Sequence, residues 1–152
     1  MKRAIVLDSG PLSLVCNKLS PNIDAIECQH WYEQVVLDGW TVVIPEIADY
    51  ETRRELIRAK KSNSLKELDR LNGIEDYIPI TTDIMLHAAA LWAQARNEGQ
   101  AASDPKAIDG DVILSAHALS INQLFDSVIV ATTNTTHLIR YCPANLWRNI
   151  TR

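Results

Sequence analysis

Apolar positions along the chain follow two rhythms. Short unbroken runs, "AIVL" at 4–7, "TVVI" at 41–44 and "SVIVA" at 127–131, suit strands buried on both faces, as in a parallel sheet covered by helices. The stretches between them carry helical spacing. "GPLSLVCN" turns into a helix with Pro11 in its first turn, where the missing N–H costs nothing. In "SPNIDAIECQHWYEQVVLDGW", Ser20 is an N-cap candidate and Pro21 a first helical residue. Ile23, Ile26, His30 or Trp31, and Val35 keep the period, and Gly39 is the stop. After Pro45 a long helical stretch is predicted to Leu71, with a break near Ser62–Ser64 and Gly73 closing it. "YIPI" at 77–80 reads as a short edge strand because of Pro79. Thr82 is then the expected cap of the Ala-rich helix "DIMLHAAALWAQARNEG", which ends at Gly99. The loop "QAASDPKAIDG", holding Asp104, leads to a mostly buried helix, "DVILSAHALS". "TTNTTHLIRY" is a turn into a short helix, and "NLWRNI" adds a last edge strand.

Strand and helix alternate throughout, which predicts an α/β fold in three layers, with a central mainly parallel sheet of about four or five strands flanked by helices. A chain of 152 residues, 47% hydrophobic and 22% charged, matches one domain over 1–152, and no Gly/Pro/Ser-rich linker divides it. "MKRAIVLD" has too few apolar residues for a signal peptide, and no window suits a membrane span. A cytoplasmic protein without membrane contact is expected. Cys16, Cys28 and Cys142 are odd in number and scattered, as core residues are. His30, His87, His117 and His137 are equally dispersed, so a metal here would be held by oxygen.

A net charge of −4 argues against a generally basic nucleic-acid binder but leaves room for a local patch. "ETRRELIRAKKSNSLK" contains one, with Arg53, Arg54, Arg58, Lys60, Lys61 and Lys66 crowded together. Paired with Glu51 and Glu55, the same residues also read as an ordinary solvated helix face.

In open parallel sheets, ligands bind beyond the carboxyl ends of the strands. Asp8 follows the first strand and Asn134 follows "SVIVA", so both are expected at that edge. Glu51, early in the long helix, and Asp111, opening "DVILSAHAL", can join them. Carboxylates gathered in one place repel, and a divalent cation relieves this; hard oxygen ligands suit Mg²⁺ or Mn²⁺. Each position has an alternative. Asp8 could serve only a turn, and Asn134 is balanced between turn former and ligand. Glu46 competes with Glu51 as a helix-start charge. Asp109 competes with Asp111, best read as the N-cap with Asp111 in the first turn. Ser9 and Thr132 are candidates for orienting the carboxylates.

Taken in order, "IVLDSGPL", "IPEIADYETRREL", "DGDVILSAHAL" and "IVATTNTTHL" resemble the motif series of PIN domains, above all the VapC-like toxins of toxin–antitoxin pairs. The resemblance spans nearly the whole chain and implies a PIN-like domain with metal-dependent endoribonuclease activity. On the family pattern, Asp8, Glu51, Asp111 and Asn134 fall at the catalytic positions. The first three would be metal ligands, with Asp109, Glu46 and Asn134 as further options. In the last motif Asn134 stands where a carboxylate is usual and Leu138 where Phe is frequent, a departure that bears on a second metal site. Arg53, Arg54 and Arg58 would hold the RNA backbone. The partners implied are an RNA substrate, a cognate antitoxin and a second copy in a homodimer, with Trp31, Tyr32 and Trp92 as anchors.

Two other readings fit the same residues: a PIN nuclease of RNA processing or DNA cleavage that is not a toxin, and a catalytically weak PIN-fold binding module. A HAD-type phosphatase needs a second Asp two residues after the first, where Gly10 stands. A receiver domain lacks its paired acids and late Lys.

Overall fold

β1 (Arg3–Leu7) lies at the middle of a sheet in which every strand runs the same way. The computed structural model describes residues 1–99 and 105–151, with 105–108 by backbone alone. Around β1 stand β2 (Thr41–Pro45), β3 (Asp76–Ile78), β4 (Ser127–Thr132) and β5 (Ala144–Leu146), in the order β3-β2-β1-β4-β5. The helices are α1 (Ser9–Cys16), α2 (Ile23–Leu37), α3 (Glu46–Arg58), α4 (Ser62–Ile74), α5 (Thr82–Asn97) and α6 (Pro105–Ser120). This is the three-layer PIN-like α/β architecture expected, with β3 short as anticipated and the last edge strand confined to Ala144–Leu146, since Trp147–Asn149 turn instead of extending it over 145–150.

The alternation along β1 divides the core between the two faces of the sheet. Ile5 and Leu7 pack with Leu12 of α1, Val35 of α2 and Leu68 of α4, while Ala4 and Val6 pack with Leu114 and Ala118 of α6. Ala4 to Leu7 are at most 1% exposed, which explains why the strand reads as an unbroken apolar run. Each large side chain buried this way contributes about 1.5–3 kcal/mol. α5 covers α6 through Ile84 and Ala88 against Val112 and Ala116. α3 touches both α1 and α6, and sends Ile47 to one face and Ala48 and Leu56 to the other. It therefore lies across the carboxyl edge of the sheet. Among the described residues, no helix is long and apolar enough to cross a membrane.

Several predicted boundaries move, each for a local reason. The N-cap of α2 is Asn22, whose Oδ1 accepts the Asp24 N–H at 2.7 Å, so Ser20 and Pro21 lie outside the helix. Thr81, not Thr82, caps α5 by accepting the Ile84 N–H at 3.2 Å. Gly73 sits inside α4 and does not close it. The largest shift is in α6, which starts at Pro105. Asp109 and Asp111 thus lie within the helix, and Asp109 is not its cap. Asp104 falls outside the described residues.

Two helices end in the same way. After α2, Gly39 takes φ +90° while the Trp40 N–H reaches Val35 O at 3.0 Å and the Gly39 N–H reaches Val36 O at 3.1 Å. After α3, the Lys61 N–H reaches Leu56 O at 2.9 Å and the Lys60 N–H reaches Ile57 O at 3.1 Å, but here the left-handed residue, at φ +56°, is Lys60. A side chain in that conformation costs about 1–2 kcal/mol. Lys60→Gly is expected to raise the thermal midpoint by roughly 2–4 °C. A calorimetric scan in which the midpoint stays or falls would contradict this account of the α3–α4 break.

Candidate functional site

The strand order reverses about β1 and β4, which makes their carboxyl ends the switch point of the sheet. A crevice opens there because successive connections leave on opposite faces. The β1–β4 register pairs Leu7 with Ala131, so the next residues, Asp8 and Thr132, stand side by side. The Asp8 N–H continues the ladder to Ala131 O at 2.9 Å. Both carboxylate oxygens of Asp8 are held: Oδ1 accepts the Ser9 N–H at 2.7 Å, and Oδ2 accepts the Thr132 hydroxyl at 2.8 Å. Thr132 is 1% exposed. Asp8 is therefore also the cap of α1, and the turn role and the site role share one side chain.

Glycines let the surrounding elements come this close. A Cβ on Gly10 would stand 2.7 Å from Thr133 Cγ2, and one on Gly110 would stand 3.1 Å from Glu51 Oε2. Only a bare backbone at 10 admits the β4 loop, and the one at 110 lets α6 lie against the Glu51 carboxylate. α3 and α6 thereby bring Glu51 and Asp111 to Asp8.

The electrostatics record this convergence. Burial raises the pKa of Asp8, against the lowering effect of Thr132 and Ser9. Burial, then the charge of Asp8, raises Glu51, with Arg54 opposing and Asp111 adding to the rise. Asp111 is pushed up to about 6, by burial and then by Asp8. Shifts of this kind at a crevice are what functional carboxylates display. Among the described residues, no three His, Cys, Asp or Glu side chains form a ready-made metal cage. The donor set nevertheless fits Mg²⁺ or Mn²⁺, since Mg²⁺ keeps several waters and takes one or two carboxylates rather than an all-protein cage.

The other expected residues are placed as follows. Asn134 is exposed, its Oδ1 accepting the Thr136 N–H at 3.0 Å, while its own N–H donates to Thr132 Oγ1 at 3.2 Å. It acts as a turn former, supporting Asp8 through Thr132. Glu46 Oε1 is engaged by the Ile80 N–H at 2.7 Å, bracing the connection from β3 to α5. Asp109 is exposed beside Met85, Trp92 and Ile113, in a groove between α5 and α6. Of the arginines, Arg53 is tied to Asp49 through two bonds of 3.0 Å and to Asp69 at 2.9 Å. Arg58 pairs with Glu55 at 2.9 Å. Arg54 alone faces the carboxylates, 3.9 Å from Glu51 Oε2.

The aromatic anchors are corrected in part. Trp31 is a core residue that donates to Ile150 O at 2.8 Å and packs on Trp147. Tyr32 is partly buried in the same cluster, and Trp92 is partly buried under the Arg96 guanidinium. The three cysteines are buried and unpaired. Sequence reasoning missed Asp49, a buried carboxylate, because its partner Asn72 at 2.9 Å comes from α4. It also missed Gly110, which "DGDV" places between two acids but whose role needs the fold.

The raised Asp111 has a consequence for stability without metal. The unfolded chain ionises this group near 3.8 and the folded one near 6. Its contribution to stability is therefore present below the lower value, is lost as pH rises through the interval, and stays lost above it. In chelator, Asp111→Asn is expected to melt a few degrees above the wild type at pH 7.5, with the gain vanishing near pH 4. An equal or lower midpoint at pH 7.5 would show that the charge is not repelled.

No protein-family model and no curated protein matches the chain. Solved structures do. A chain in the crystal structure of VapBC2 from Rickettsia felis bound to a DNA fragment from their promoter superposes with a TM-score of 0.70 at 16% identity, over 95% of this chain and 98% of that one. For FitAcB from Neisseria gonorrhoeae the values are 0.68 and 18%, over 96% and 99%. For VapBC-1 from nontypeable Haemophilus influenzae they are 0.62 and 17%, over 96% and 99%. At such identities the likeness speaks for the fold, and along nearly its whole length the chain has the PIN-like fold of these VapBC and FitAcB chains.

Proposed function

We propose that the protein is a Mg²⁺- or Mn²⁺-dependent endoribonuclease, the toxin of a toxin–antitoxin pair. One observation carries the nuclease reading: Asp8, Glu51 and Asp111 come from three separate elements to the switch-point crevice, with all three pKa values raised by burial and those of Glu51 and Asp111 also by the charge of Asp8. A fold has no need of such repulsion, whereas a cation site does. The pairing with an antitoxin rests on the similarity to chains of VapBC and FitAcB structures.

Asp8 and Asp111 would hold the ion, with Glu51 doing so directly or through water. When bound, the ion supplies the positive charge that lets these groups ionise together and acidifies a water for attack on phosphorus. Thr132 and the Ser9 N–H fix Asp8 so that its carboxylate does not reorganise during the reaction. Glu51 Oε2, beside the bare backbone of Gly110, can take the proton of the attacking water. Arg54, more than half exposed, can hold a phosphate of the strand. The Asn134 side chain is engaged in its turn, which favours a site complete with three carboxylates.

Cleavage of single-stranded RNA is expected with Mg²⁺ or Mn²⁺ and not in chelator. Asp8→Ala or Asp111→Ala should lower the rate by at least about 100-fold. Asn134→Ala should cost less than either. Metal-independent cleavage, or equal rates for wild type and both Asp variants, would overturn the nuclease reading. A loss at Asn134 equal to that at Asp8 would make it a ligand.

A further inference from the structure

The outer face of α3 is unusual for a helix that helps build the core. Tyr50, Arg54 and Ile57 recur at intervals of four and three, which places them along one stripe of α3. All three are exposed, Tyr50 at 56% and Ile57 at 58%. The opposite side of the same helix is buried, through Ala48, Thr52 and Leu56. The stripe starts beside Glu51 and runs for about 10 Å at 1.5 Å per residue. It sets an aromatic ring beside a cation, the combination that holds single-stranded nucleic acid: each base offers a face to stack and each phosphate a charge.

The partners of the arginines sharpen the assignment. Arg53 and Arg58 are neutralised by acids of their own neighbourhood. Arg54 instead lies between the Tyr50 ring, 5.1 Å from its centroid, and Glu51, at 3.9 Å. The guanidinium is thus held over an exposed ring at the lip of the carboxylate crevice. Among the described residues, Tyr50 belongs to none of the three buried apolar clusters. Building on the nuclease reading, we propose that Tyr50 is the stacking platform for the base next to the cleaved linkage, with Arg54 on the adjoining phosphate. Substrate choice follows from this. Only a strand whose base can swing out of a helix reaches the ring, so single-stranded or looped RNA is bound and duplex RNA is not.

The test uses the full-length protein and a short fluorescent oligoribonucleotide. Binding is read by anisotropy in chelator, and cleavage by steady-state kinetics in Mg²⁺. Tyr50→Ala should weaken binding about tenfold and raise KM to match, with kcat within about twofold, while Tyr50→Phe stays close to wild type. An oligonucleotide lacking the base next to the cleaved linkage should lose about tenfold against the wild type and nothing further against Tyr50→Ala. A Tyr50→Ala protein that binds and cleaves like wild type overturns the proposal, as does an abasic loss of the same size in both proteins. Such a result would turn the stripe over to a protein partner. Failure here is distinct from failure of the nuclease reading. Tyr50-dependent binding without metal-dependent cleavage supports the platform and removes the nuclease, whereas cleavage indifferent to Tyr50 does the reverse.

Discussion

The hydrogen bond from Thr132 to Asp8 joins the ends of two strands that are 124 residues apart in sequence, and the rest of the site is arranged around it. It exists because β1 and β4 pair in parallel with Leu7 opposite Ala131. A slip of one residue would turn every side chain of β1 to the other face of the sheet and exchange the partners of both core clusters. The register is thus held by the buried apolar run, and the polar pair at its end comes with it. Gly10 then admits the loop after β4, and Asn134 closes that loop by donating its backbone N–H to the Thr132 hydroxyl.

Asp49, Asp111 and Glu51 are all at least partly buried, and they differ in how their charge is met. Asp49 lies deep in the α3–α4 packing but is met by two bonds from Arg53 and one from Asn72, so its charge is answered within the fold. Asp111 is different: burial, then the charge of Asp8, acts against its ionisation. Glu51 is intermediate, with Arg54 as a partial counterweight. The contrast separates a structural acid, whose charge is met by the fold, from the acids that the proposed function assigns to a cation. It also explains the glycine at 110, where a side chain would press on the Glu51 carboxylate.

Much of this was legible in the chain. The apolar runs at 4–7, 41–44 and 127–131 are strands because burial on both faces leaves no room for alternation. Asp8 could be placed at the carboxyl edge since it directly follows such a run. What escaped was whatever depends on partners distant in sequence. "DGDV" looks like a helix start because acids favour that position, yet α6 already runs from Pro105. Six basic residues between 53 and 66 look like one patch, but acids of the fold engage Arg53 and Arg58, while Arg54 stands at the crevice beside Glu51. Trp31 keeps the apolar period of α2 and is a core residue, with the C-terminal tail packed back on it through Trp147, so the anchor role implied by the family resemblance does not fit it. Glu51 and Glu46 both follow β2 closely, and only the approach of Ile80 to Glu46 tells them apart.

The central claim is that Asp8, Glu51 and Asp111 meet in order to bind a divalent cation. Calorimetric titration of the metal-free protein with Mn²⁺ near pH 6, repeated in buffers of different ionisation heats, tests it most directly. The account predicts saturable binding with release of protons, because Asp111 titrates near that pH in the free protein, and loss of both signals in Asp111→Asn. Absence of saturable binding to the wild type, or binding that survives in Asp111→Asn with the same proton release, would contradict it.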